Sequence, residues 1–560
     1  MGTNKKLLIL SLLIVGSNLV YSASELDKYD GKTQSVNGGK EYENNVEQTI
    51  NSGKWLHITD GKVTNNETGK IVVTGSGPVA QFAGEKAEFL NKGNIEVQNG
   101  KGFYNGNGTL INDGTITVKK GIGVQLKGEK ATFKNNKTLN VIGGNGAEIA
   151  QGSGNNIGEI NVSGGNGIYF NGVEKGKKGE FINQGTINVS GGNGVNFGKV
   201  EGEATFTNKD TINVTGGAGA NVGKGNFNND GTINVSGGKG LYITGGKVTN
   251  QGNIIINSGT GLQIKNGTKG EVINSGNILI KGGTGIDLAG GNFTNSGIID
   301  AGINGVAIKS STGTNNTLFL KDGNKIIGTV KGSTGIDVLA VEGGSTYENL
   351  AITGYDKIVS LKSENSADDA VISNSNISLG FNQGTDNYIN GNKELNGDKT
   401  GLTIKNSNLI VDLTNKIEGT SLVDSSEKAE LSGDIKVAFS DKDNKKEFNV
   451  NEILGDEFNI ENVNFQSTAR WNYSKDEKGN LIASKKSYAE AVGKSQLSDF
   501  GNILEGNTTK EGDFGKSLRI LEFLDASQFT DAMTQLSGGV HGYTVDFAAI
   551  NSRTLSNTIK

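Results

Sequence analysis

The sequence predicts an all-β chain: a right-handed parallel β-helix (β-solenoid) followed by a C-terminal helical segment. Three observations predict it. A five-residue motif returns ten times at spacings of 21 to 27 residues. Inside each copy apolar and polar residues alternate, which is the two-residue period of a strand with one buried face. Glycine supplies 88 of the 560 residues and proline only 1. Hydrophobic residues make up 33% of the chain, so glycine, rather than charge, has replaced bulky side chains. Collagen is excluded, because it needs glycine at every third position and abundant proline. A net charge of −5 over 560 residues argues against a disordered acidic chain.

Taken in order, residues 1–22 read as a secretory signal peptide. Lys5 and Lys6 precede an apolar run from Leu7 to Val15, and Val20-Tyr21-Ser22 offers small-residue cleavage after Ser22. The run is about half of the ~20 apolar residues a membrane span needs. Residues 23–66 are assigned to an N-terminal cap and first coils, and 67–310 to regular repeats. The motif Gly185-Thr-Ile-Asn-Val has copies starting at Gly93, Gly114, Lys137, Gly158, Asp210, Gly231, Gly252, Gly276 and Gly297. In Thr186-Ile187-Asn188-Val189 the apolar pair faces inward and Thr and Asn face outward. A glycine turn and a second apolar pair follow, as in Gly164-Gly-Asn-Gly-Ile-Tyr-Phe. One such turn orders more backbone than its few apolar side chains can offset, so turns must stack.

Two further columns follow from the period. Phe89, Phe133, Phe181, Phe206, Phe227 and Phe293 recur in register as an inward aromatic column. Asn91, Asn112, Asn135, Asn183, Asn208, Asn229, Asn250, Asn274 and Asn295 each precede the next motif by two residues. They read either as a ligand-binding row or as an internal ladder satisfying backbone groups at a corner, and the internal ladder is the favoured reading. Residues 311–475 continue the helix less regularly. If turns run from about residue 45 to 470, near 20 of them at ~4.8 Å make a rod of about 95 Å. In residues 476–560 the spacing becomes helical, with Leu521, Leu524, Phe529, Met533 and Leu536 as an apolar stripe.

Composition narrows the chemistry. The chain has no cysteine and two histidines, His57 and His541, so thiolate and most imidazole chemistry is excluded. Only Arg470, Arg519 and Arg553 among 54 basic residues are arginine, which argues against nucleic acid. Gly493-Lys-Ser and Gly515-Lys-Ser lack the upstream glycine of a phosphate loop. A Gly-Gly-x-Gly-x-Asp calcium pattern occurs at Gly282 to Asp287 and imperfectly at Gly332 to Asp337. The equivalent positions elsewhere are Glu148, Tyr169, Asn196, Asn221, Tyr242 and Gln263, so no repeated carboxylate builds a cage. No catalytic residue, cofactor or metal is expected. Candidate contact residues are the outward Tyr104, Tyr169 and Tyr242, about three turns apart, and Lys175, Lys177 and Lys178 in the loop from Val173 to Glu180.

Three segments add a family resemblance. They are Ile327-Gly-Thr-Val-Lys-Gly-Ser-Thr-Gly-Ile-Asp-Val-Leu with Ile352-Thr-Gly-Tyr-Asp-Lys-Ile, then Arg470-Trp-Asn-Tyr with Gly479-Asn-Leu-Ile, then Leu536-Ser-Gly-Gly-Val-His-Gly-Tyr onward. In this order, after a signal peptide and a β-helix, the chain resembles the autotransporter (type V secretion) passengers of Gram-negative bacteria. The resemblance implies an autochaperone-like end to 311–475 and, in 476–560, a linker like that preceding a translocator barrel. It departs from the family pattern in carrying no barrel sequence up to Lys560. It implies export to the outer membrane, cell surface or medium, with an outer-membrane translocator barrel as partner. It further implies a scaffold or adhesin role toward a host or bacterial surface protein or glycan. The alternative expectation is a polysaccharide-cleaving β-helix enzyme, which needs outward carboxylates close together; Asp287 and Asp300 lie at different strand positions.

Overall fold

The computed structural model describes residues 23–538, apart from 266–269, 417–419, 444, 494, 507–517 and 519. The signal peptide with its Ser22 cleavage position, His541 and the Val-His-Gly-Tyr segment lie outside the described residues. The chain winds into a parallel β-solenoid of about 17 turns with a few helices, some of them at the C-terminal end. At ~4.8 Å per turn that is about 80 Å of rod, shorter than the sequence suggested. The late turns are longer: Asn376 pairs with Asn408, 32 residues on, because the chain makes an excursion through helix Thr385–Gly391.

Each turn carries three short strands, exemplified by Thr186–Val189, Asn193–Phe197 and Glu203–Asn208. Each strand pairs in parallel with its copy one turn above and below, which makes three faces. On the first face Ile160, Ile187, Ile212, Ile233 and Ile254 stand in one inward column. Val195, Ala220 and Leu241 do so on the second. All are buried. The motif's alternation is therefore the inward–outward alternation of the solenoid wall.

The third face holds the two remaining columns. Phe181, Phe206 and Phe227 are in register, with ring centroids 6.0 and 5.3 Å apart. The aromatic column is not continuous: Leu110, Gly154 and Val248 share its register. A Cβ on Gly154 would lie 2.3 Å from the Phe181 ring, so the phenyl group occupies that space. The asparagines form the internal ladder. From Asn44 through Asn65, Asn91, Asn112, Asn135, Asn156, Asn183, Asn208, Asn229, Asn250 and Asn274 to Asn295, each Nδ2 donates to the next Oδ1 at 2.6–2.8 Å. All are buried. The other N–H reaches a corner carbonyl, as from Asn183 to Gly185 O at 2.8 Å. Buried amides thus satisfy one another and the turn.

Glycine serves the corners in two ways. Gly192 has φ +74, and a Cβ there would sit 2.1 Å from the Gly165 carbonyl oxygen. Gly185 has no left-handed backbone, yet its Cβ would lie 2.2 Å from Gly158 O. The first position needs glycine for both conformation and space; at the second only space favours glycine, and Lys137 and Asp210 occupy the equivalent position in other turns.

Asn295 registers with Leu320, so the ladder stops where the repeat blurs in the sequence. A different polar cluster succeeds it. Asn316 donates to Asp337 Oδ1 at 2.8 Å, and the Asp337 backbone N–H donates to Asp356 Oδ2 at 2.7 Å. Burial pushes the Asp356 carboxyl up to about 7 and that of Asp337 upward as well. The segment around helix Thr385–Gly391 then folds over the outside of the third face, where Ile389 and Leu395 cover Val338, Ala340 and Val359.

A three-stranded antiparallel sheet, Glu447–Asn449, Leu481–Lys485 and Trp471–Lys475, closes the C-terminal end. Trp471 packs on Phe439, a residue of the solenoid wall, with centroids 5.9 Å apart. Arg470 is buried; its Nη1 donates to Glu522 Oε1 at 2.7 Å, and its guanidinium lies 3.5 Å from the Tyr488 ring centroid. Trp471 Nε1 donates to Glu522 Oε2 at 2.7 Å. The stripe from Leu521 to Leu536 packs with these residues, but a turn divides it: helix Ala526–Gly538 begins after Asp525, whose Oδ1 accepts from Gln528 N at 2.8 Å.

Candidate binding groove

The outward Asn of the Thr-Ile-Asn-Val strands builds a concave groove on the rod. Asn140, Asn161, Asn188, Asn213 and Asn234 stand one turn apart in one column of the first face. Asn161 Nδ2 donates to Asn140 Oδ1 at 3.1 Å, Asn188 to Asn161 at 2.8 Å, Asn213 to Asn188 at 2.9 Å and Asn234 to Asn213 at 2.9 Å. Unlike the inner ladder, these amides are only half-buried. An amide carries two N–H groups and two lone pairs. Contacts along the row use one N–H and one lone pair of each interior member, and its second pair is left for the groove.

The groove has a volume of about 450 Å³, with Thr117 and the asparagines from 140 to 213 as its floor. Its rim is where each strand runs into the glycine corner, at Ile142, Ser163, Ser190 and Thr215. The Ser163, Ser190 and Thr215 hydroxyls donate to carbonyls of the turn below at 3.3–3.4 Å, which fixes their positions and leaves their lone pairs outward. Ile142 is 53% exposed. No lining residue is charged or aromatic. Beyond the glycine corner, Asn145, Asn166 and Asn193 form a second amide row with spacings of 2.8 and 2.9 Å.

The residues singled out from sequence lie elsewhere. Tyr104, Tyr169 and Tyr242 share one outward column of the second face, with Gln125, Glu148, Asn196, Asn221, Gln263 and Asp287 between or beyond them. They are three turns apart, about 14 Å, and form no joint platform. Lys101 lies 5.6 Å from the Tyr104 ring centroid and Lys239 4.0 Å from that of Tyr242. Lys175 and Lys177 are exposed in the turn between second and third faces, whereas Lys178 pairs with Glu180 at 2.7 Å. No contact joins these lysines to the tyrosines. Sequence reasoning missed the outer asparagine row, because a single outward amide in a strand is neither charged nor aromatic and reads as ordinary solvated wall. Its signal was present: the same outward residue in five consecutive copies.

The tyrosine column also holds two outward carboxylates that are nearly buried. Glu148 accepts from Gln125 Nε2 at 2.8 Å, and Asp287 from Gln263 Nε2 at 3.0 Å and Ser311 Oγ at 2.9 Å. They stand six turns apart, roughly 29 Å, whereas paired acid and base groups of a glycosidase stand about 5–10 Å apart. Asp300 belongs to the first face. Among the described residues, no group of three or more His, Cys, Asp or Glu is placed to hold a metal ion. No family model, curated protein or solved structure matches the chain.

Proposed function

We propose that the chain is the β-helical passenger of an exported cell-surface scaffold or adhesin, of the autotransporter type. It presents a neutral polar groove on a stiff rod and works by binding rather than catalysis. The observation that carries the reading is the outer amide row: five identical side chains, one per turn, half-exposed and linked along the axis. The corner backbone is satisfied by the inner asparagine ladder and not by this row. A row of like groups on a rigid parallel wall is a display surface. The uncharged lining supports recognition over acid–base chemistry. The export signal at residues 1–22 and the resemblance of the distal segments support a surface location, with an outer-membrane translocator barrel as partner.

Trypsin applied to intact Gram-negative cells producing the full gene product tests the location. Cleavage at the exposed Lys175 and Lys177 before lysis is expected. Cleavage only after lysis would contradict a surface role.

A further inference from the structure

We propose that the groove holds a neutral, extended, β-linked polysaccharide laid parallel to the rod axis, one sugar to each turn of the solenoid. The inference rests on the binding role argued above and names the ligand class for that groove. Four features converge on it. The lining carries no charge, so nothing there would pair with the carboxylates or sulfates of an acidic glycan or the charged side chains of a peptide. Every strand that lines the groove is hydrogen-bonded on both sides, so the groove has no open backbone edge for an added peptide strand. The floor offers an amide N–H and an amide lone pair at each turn, and the rim offers hydroxyl lone pairs from Ser163, Ser190 and Thr215. These groups match a ligand dense in hydroxyls, each a donor and an acceptor. Finally, the strand spacing of ~4.8 Å is close to the advance per residue of an extended β-linked pyranose chain, so contacts at one turn repeat in register at the next. Ile142, exposed at one end, gives an apolar contact for a sugar-ring face.

Individual neutral hydrogen bonds are weak against water, so affinity must build by repetition. Titration calorimetry on the full-length secreted chain tests this with cellobiose, cellotetraose, cellohexaose, β-mannohexaose and, as acidic control, a hyaluronan hexasaccharide. One neutral series should bind, gaining about tenfold or more in affinity from two sugars to four and levelling off beyond the five-turn row. Ser190→Arg, which fills the rim from a solvent-exposed position, and Asn188→Asp, which removes a donor, should each lower hexamer affinity about tenfold or more. Thr249→Arg on the third face should not. Unchanged thermal midpoints separate these losses from misfolding. No binding by any neutral oligosaccharide, no length dependence, equal binding of the acidic hexamer, or full affinity in both groove variants would overturn the proposal. Trypsin cleavage on intact cells fails or succeeds independently, so loss of the surface location and loss of the groove are distinguishable.

Discussion

Asparagine plays two opposite parts in this chain, and exposure decides which. Asn183 is buried between Asn156 and Asn208, so its removal leaves one donor and one acceptor unsatisfied in the interior. Asn183→Ala is expected to cost about 3 kcal/mol of unfolding free energy, while Asn188→Ala, in the outer row, should cost under about 1 kcal/mol. Guanidinium unfolding of both variants checks the contrast. Glycine divides similarly. Gly192→Ala meets both a left-handed backbone and the Gly165 carbonyl, and should cost about 2 kcal/mol or more. Gly185→Asp should cost less, because Asp210 already occupies the equivalent position one turn on, with the Thr211 N to Gly185 O bond at 3.3 Å against 3.0 Å for Thr186 N to Gly158 O. The inner ladder was legible because its Asn follows an apolar residue by two positions. Asn156 escaped because Gly154 stands where that apolar residue should be, and the Phe181 ring that fills its space comes from the next turn.

At the level of elements, regular turns were readable and exceptions were not. Alternation reports a face, but not which outward residues a later segment will cover. Nothing local in Val338-Leu-Ala-Val announces that Ile389 and Leu395 cover its outer side. The apolar stripe at the C-terminal end was visible, whereas the turn at Asp525 that splits it depends on a cap and on Glu522 reaching Arg470 and Trp471. Arg470→Met leaves Glu522 buried with its principal cation removed. It should loosen the end sheet and helices by about 3–5 kcal/mol, read by Trp471 fluorescence during unfolding in a Trp55→Phe background. The Asp337–Asp356 cluster makes the adjoining turns pH-sensitive. Burial raises Asp356 to about 7, so the folded state holds a proton that the unfolded chain releases near the ordinary carboxylate range. The associated stabilisation is fully present below that range and lost as pH rises through about 7. Asp356→Asn should flatten this part of the thermal midpoint's pH dependence between pH 4 and 8; an unchanged slope would contradict it.

Across the whole molecule, glycine abundance and proline scarcity have one cause. Strand columns only a few ångströms apart leave no room at the corners, and a ladder paired on both sides admits no residue without an N–H. The period gave the architecture, while the number of turns required knowing where the chain leaves the wall. Both the scaffold reading and the groove rest on columns that repeat once per turn. Double electron–electron resonance between spin labels tests this most directly, and the absence of native cysteine leaves only introduced thiols to label. Asn94, Glu159, Asn253 and Asn277 are exposed and share one outward column of the first face. Pairs from Asn94 to each of the others span three, seven and eight turns, so the distances should rise in proportion to the number of turns, to about 14, 34 and 38 Å at ~4.8 Å per turn. Distances that fail to grow with the number of turns would contradict the stacked column.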